Sequence, residues 1–194
     1  MNAKEILLLF LVCVSTRCFS QWEVSLGAGV SIPVTGYGEI VETGAVIFNL
    51  TGQYRFKSGL AVGARTQYAR FSKDKNPDDD FHGAKISVAP VIFNAEYELN
   101  NKGNLRPYVA GGIGISFFSV SYNSSATSID DKQINNVSFS MMPLIGLRYK
   151  VNDHLFPYLE TGFMLIADGP PPGFPLSDKL TGYNFVAAGV LYRF

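Results

Sequence analysis

The chain has 194 residues, 47% hydrophobic, 13% aromatic and only 16% charged, against about 25% charged in ordinary soluble domains. With 16 basic and 16 acidic residues the formal charge is zero, so a nucleic-acid role has no electrostatic support. The apolar content excludes a disordered chain, and the lack of a second long apolar run excludes a helical membrane bundle.

Residues 1–20 read as a processing segment. Lys4 gives a short positive start, Ile6 to Val14 is an unbroken apolar run of nine, and Cys18-Phe19-Ser20 is a small-residue end before Gln21. Nine apolar residues suit a signal-peptide core and fall short of the roughly 20 needed for a spanning helix. The expected domains are a signal peptide over 1–20 and one domain over 21–194. Arg17 before Cys18 argues against a lipoprotein signal. Both cysteines, Cys13 and Cys18, fall in the removed part, so the exported chain is expected to use no disulfide. Losing Lys4, Arg17 and Glu5 takes 16 basic and 16 acidic residues to 14 and 15, a net charge of −1.

From Gln21 the chain reads as alternating stretches broken by turn signals. The predicted strands are 22–32, 44–57, 59–72, 83–99, 105–121, 137–151, 154–166 and 181–194. Trp22, Val24, Leu26, Ala28 and Val30 oppose Glu23, Ser25, Gly27 and Gly29 in the first. Val46, Phe48, Leu50, Tyr54 and Phe56 oppose Asn49, Thr51, Gln53 and Arg55 in the second. Leu60, Val62, Ala64 and Tyr68 oppose Gly63, Arg65 and Gln67 in the third. Phe139, Met141, Ile145, Leu147 and Tyr149 oppose Ser138, Ser140, Gly146, Arg148 and Lys150 in the sixth. Most stretches exceed the 5–6 residues usual for a globular strand and reach the 9–11 that cross a bilayer.

Alternation alone does not separate a membrane barrel from a soluble ligand-binding barrel with its apolar face inside. Connection length does. The links alternate long (33–43, 73–82, 122–136, 167–180) with short (around Ser58, Asn100 to Asn104, Asn152-Asp153), the pattern of bacterial outer-membrane barrels. Aromatic residues sort by strand end as well. Trp22, Phe56, Tyr97, Tyr149, Tyr192 and Phe194 fall at the short-turn rim, and Tyr68, Phe117, Phe139 and Phe163 towards the other, as two girdles at headgroup level require.

The chain ends Val190-Leu191-Tyr192-Arg193-Phe194, an alternating strand closing on Phe. Arg106-Pro107-Tyr108-Val109-Ala110-Gly111-Gly112-Ile113-Gly114 is similar to a motif of the fifth strand in one family. Over residues 21–194 the chain resembles the small eight-stranded outer-membrane β-barrels of the outer-membrane protein A transmembrane-domain type. That resemblance implies an all-β, eight-stranded antiparallel up-and-down transmembrane barrel in the cell outer membrane, with membrane lipids and the barrel assembly machinery as partners. It implies an assembly signal at Tyr192 and Phe194. With nothing after Phe194, a peptidoglycan-binding domain and a cell-wall tether are not carried over.

Candidate chemical sites are few, and no cofactor or metal is expected. His82 follows Asp78-Asp79-Asp80 at the outer rim, where barrel enzymes place His with Asp or Ser, but no nucleophile motif accompanies it. His154 sits in the turn after Asp153. Asp74-Lys75-Asn76-Pro77-Asp78 begins like a calcium loop, yet Asp79 stands where Gly is needed and Lys85 where Glu is needed. Gly27-Ala28-Gly29 and Gly111-Gly112-Ile113-Gly114 lack the helix and Lys-Ser/Thr of a phosphate loop. Gly169-Pro170-Pro171-Pro172-Gly173-Phe174-Pro175 is a stiff loop able to present Phe174.

The informative charges face inward. Alternation places Glu23, Glu96, Glu98 and Glu160 inside with Arg55, Arg65, Arg106, Arg148 and Arg193. An eight-stranded interior is just wide enough for side chains to fill, so charges of both signs should pair there. The expected function is structural or surface-interacting: a barrel with an ion-pair-plugged lumen that offers four long loops to an extracellular partner. A narrow channel for small solutes is the alternative, followed by a rim enzyme and a soluble ligand-binding barrel.

Overall fold

The outward faces of the strands in the computed structural model are predominantly apolar. The described residues are 21–35, 44–72, 82–100, 102–123, 132–167 and 181–194. In β2 (Ala45–Arg55) exposure alternates residue by residue, with Val46, Phe48 and Leu50 exposed and Asn49, Thr51, Gln53 and Arg55 buried. Leu26 is 66% exposed in β1 (Trp22–Thr35), and its neighbour in the chain, Ser25, is 7% exposed. An apolar outer face inverts the soluble pattern and removes the soluble ligand-binding barrel from consideration.

The other strands are β3 (Leu60–Ser72), β4 (His82–Glu98), β5 (Leu105–Asn123), β6 (Lys132–Met141), β7 (Leu144–Tyr149), β8 (Leu155–Ile166) and β9 (Thr181–Arg193). All pairings are antiparallel, and the order β4-β3-β2-β1-β9-β8-β6-β5-β7 closes through β4–β5 and β8–β7. β6 and β7 are halves of one stave. Ile113↔Met141 and Ala110↔Leu144 keep one register on β5, as Met141↔Leu165 and Leu144↔Gly162 do on β8. Nine segments therefore make a ring of eight staves. The break falls at Pro143, which has no N–H for the ladder; its carbonyl still accepts from Phe163 N at 3.0 Å. Closure leaves no sheet edge, as a lipid-embedded backbone requires.

The short turns share one rim. Gly59 turns with φ +90°, a left-handed geometry that favours glycine, and its N–H donates to the Phe56 carbonyl at 3.1 Å. Asn100 Oδ1 accepts from Lys102 N at 3.1 Å, and Asn152 Oδ1 from the N–H groups of His154 and Leu155, both at 2.8 Å. Phe194 N donates to the Trp22 carbonyl at 3.0 Å, so both ends of the described barrel lie at this rim, the periplasmic one in the outer-membrane pattern.

The inside has two halves. Towards the short-turn rim it is polar and charged. Towards the long-connection rim it is a packed apolar cluster including Ile47, Phe71, Ile86, Ile92, Met164 and Phe185, all essentially buried. The inward charges expected from alternation are thus confined to the half towards the short-turn rim. The sixth stave also starts earlier than residue 137. Its ladder runs back to Lys132, opposite Tyr122.

The processing segment 1–20, the acidic run Asp74 to Asp80 and the proline run with Phe174 lie outside the described residues. His82 begins β4.

Candidate functional site: a charged lumen

Register decides which inward residues meet. Glu23 on β1 is opposite Arg193 on β9 and Gln53 on β2. It is fully buried and accepts from Arg55 Nε, Gln53 Nε2 and Arg193 Nε, each at 2.7 Å. Glu96 on β4 takes both terminal nitrogens of Arg148 in a fork and a further bond from Arg55 Nη2. Planar bidentate pairs of this kind are strong and directional.

Arg106 and Arg148 are directly opposite each other on β5 and β7, a like-charge juxtaposition that would be unfavourable alone. Glu98 resolves it. Its carboxylate stands 3.5 Å from Arg106, 3.7 Å from Arg148, and 3.6 Å from both Arg55 and Arg193. Three carboxylates and four guanidiniums thus form one mesh behind the short-turn rim. Phe156 lies under it, with the Arg193 and Arg106 guanidiniums 4.5 and 5.3 Å from its ring centre.

A second cluster sits deeper. Arg65 on β3 donates to both oxygens of Glu160 on β8, from Nη1 at 3.0 Å and from Nη2. In the ring, β3 and β8 are four staves apart, so this pair spans the full diameter of the lumen. Glu160 also accepts from Tyr108 Oη at 2.9 Å and Asn49 Nδ2 at 3.2 Å.

Glycines make these reaches feasible. Tyr108, Gly146 and Glu160 share one cross-strand rung, and a Cβ on Gly146 would collide with the Tyr108 ring. The ring therefore lies across Gly146 to touch Glu160. Tyr158, Gly189, Gly27 and Asn49 form another rung, where Tyr158 crosses two glycines to donate to Asn49 Oδ1 at 2.8 Å. Tyr108 joins the two clusters: Arg148 stacks 4.0 Å above its ring and its hydroxyl binds Glu160.

All nine inward charges named from the sequence are therefore brought into the lumen. Arg193 is the most peripheral, with its side chain 19% exposed. Alternation did not indicate Asn49, Gln53, Tyr108, Phe156 or Tyr158 as partners of these charges. Their inward parity was readable; the register that joins them was not.

Trp22, Phe56, Tyr97, Tyr149, Tyr192 and Phe194 are exposed at the short-turn rim. Trp22 meets Tyr54 edge-on at 5.7 Å, and Tyr192 meets Phe194 edge-on at 5.0 Å. His154 Nδ1 donates to the Arg193 carbonyl at 2.8 Å and its ring stacks on Tyr192, so it holds the last strand's end. In the same turn, the hydrogen bond and charge of Lys150 hold the Asp153 carboxyl below its usual range. Among the described residues no group of three or more His, Cys, Asp or Glu could hold a metal ion.

Comparison with known proteins agrees with this architecture. Solved structures similar to the chain include Neisserial surface protein A, at TM-score 0.59 and 15% identity over 89% of this chain and 97% of that one. A major outer membrane protein from Thermus thermophilus matches at TM-score 0.55 and 12% identity, over 89% and 99%. The attachment invasion locus protein Ail of Yersinia pestis matches at TM-score 0.54 and 15% identity, over 90% and 99%. At such identities the likeness speaks for fold alone. No curated protein matches in sequence. The model of the outer membrane protein beta-barrel domain matches residues 6–194, and the chain belongs to that family of the bacterial outer membrane.

Proposed function

We propose that the protein is a non-enzymatic outer-membrane barrel with a structural or surface-interaction role, its lumen closed by ion pairs. The observation that carries this reading is the Arg65–Glu160 pair, which joins diametrically opposed staves and is flanked by Tyr108 and Asn49. Below it, the mesh around Glu96 and Glu98 sets further ion pairs across the lumen. Above it stands the apolar cluster. An ion would have to displace a diametral salt bridge and then cross an apolar layer, an unfavourable route for a charged solute. On this reading the four long connections are the working surface, where an extracellular partner would bind. The alternative, a narrow channel for small solutes, predicts a different electrical behaviour. Purified protein in a planar bilayer should show no steady conductance above the bare membrane. Regular, sustained channel steps in wild type would favour the channel.

A further inference from the structure

The outer wall is nearly free of charge. Among the described strand residues, the outward-facing charged side chains are Arg70 on β3 and Lys85 on β4, both exposed and both cationic. Arg70 is opposite Ser87 and Lys85 is opposite Ser72, which makes the two cations diagonal neighbours about 7–8 Å apart. Neither has an ion-pair partner among the described residues.

Their height is informative. At a rise of about 3.4 Å per residue and a tilt of about 40°, each residue climbs roughly 2.6 Å along the barrel axis. Arg70 then stands about 26 Å above Leu60, which is exposed at the short-turn rim, and this equals the ~25 Å apolar band of such barrels. Lys85 lies one rung further out. Both cations therefore meet the outer leaflet at headgroup level.

The wall beside them is shaped to match. The Arg70 rung continues through Ser87, Ser119 and Asn135, a polar row across four staves. One rung closer to the membrane centre lie Tyr68, Ala89, Phe117 and Val137. Ser87, Ser119 and Asn135 of the polar row and the four residues of the lower row line an open groove of about 770 Å³, with Arg70 at the β3 end of the polar row. Tyr68 Oη donates to Ser87 Oγ at 3.4 Å, linking the apolar row to the polar one. Lys85 outermost, Arg70 level with the hydroxyl and amide groups, and an apolar trough below give a phosphorylated lipid a cationic and polar rim over a place for its acyl chain.

We propose that this face of β3–β6 is a docking site for a phosphorylated lipid of the outer leaflet, its phosphate on Arg70 and Lys85 and its acyl chain in the groove. The competing partner is the chain's own acidic segment, which carries Asp74, Asp78, Asp79 and Asp80 between the two cations in sequence.

The test uses the full barrel in phosphatidylcholine nanodiscs doped with diphosphorylated lipid A, followed by native mass spectrometry of retained lipid. Wild type should keep lipid A adducts, and R70K/K85R should keep them too. R70Q/K85Q should lose at least tenfold of the retention, with unchanged heat-modifiable mobility on a gel. Should that double variant fail to fold, K85Q alone should lose retention several-fold. Dephosphorylated lipid A should not be retained above phosphatidylcholine. Equal retention by wild type and R70Q/K85Q overturns the proposal and is what pairing to the aspartates would give. Equal retention of the dephosphorylated lipid, or displacement of lipid A by inorganic phosphate at equal concentration, overturns it as well. None of these outcomes depends on whether the lumen conducts.

Discussion

Glu96→Gln removes the charge shared by Arg148 and Arg55 while leaving the side chain's shape. Glu96 is 4% exposed and takes three guanidinium hydrogen bonds, so the change leaves two buried cations short of their best acceptor. Breaking a buried pair by removing one partner costs about 3–5 kcal/mol. Glu98 stands 3.6 Å from Arg55 and 3.7 Å from Arg148 and absorbs part of that loss, which places the expected cost near the lower end, about 3 kcal/mol. The folding equilibrium should shift by roughly a hundredfold. Urea unfolding in phospholipid vesicles reads this directly, because the single tryptophan, Trp22, sits at the lipid-facing rim and reports insertion by fluorescence. The midpoint should fall with the slope unchanged. Arg106→Ala should cost less, about 1 kcal/mol, since Arg106 reaches Glu98 only at 3.5 Å and otherwise donates to the Gly103 carbonyl. A Glu96→Gln barrel within about 1 kcal/mol of wild type, or no worse than Arg106→Ala, would refute the view that this mesh holds the interior.

Mass spectrometry of membrane-extracted protein should find Gln21 at the N-terminus, and a mature chain beginning at Met1 would contradict the processing expected from the Ile6–Val14 run. Deleting Phe194 should lower the fraction of barrel that shows heat-modifiable migration in cells, whereas an unchanged folded yield would remove the assembly role of the terminal strand. Gly146→Ala should displace the Tyr108 ring from its place beneath Arg148, destabilise by about 1–3 kcal/mol as overpacking does, and loosen the Arg65–Glu160 closure; a neutral effect on stability would show that the ring does not need the glycine.

The period-2 pattern made the staves legible, because a side chain's face in a strand depends on parity alone. Parity put Glu23, Arg65, Glu96 and Glu160 on one face, and connection length told which face met lipid. Partnership was not legible, because it depends on register. Nothing local to Tyr108 shows that Gly146 and Glu160 lie on its rung. Nothing local to Arg65 shows Glu160 across the ring. The apolar upper lumen was missed for a related reason. Ile86, Val88 and Ile92 on β4 face inward beside outward Val91 and Phe93, so that stretch is apolar on both faces and carries no alternation to read. The break at Pro143 was visible as a proline, but its stave still forms because both neighbours keep their register through it.

Proton exchange at the arginine side chains tests the closed lumen most directly. Nitrogen-edited NMR of the folded barrel in bicelles resolves guanidinium protons whose exchange with water is slow. Protons of Arg65 and Arg148, held against Glu160 and Glu96, are expected to persist well beyond those of exposed Arg70. Exchange of Arg65 and Arg148 at the rate of Arg70 would mean a water-filled lumen and would contradict the ion-pair plug.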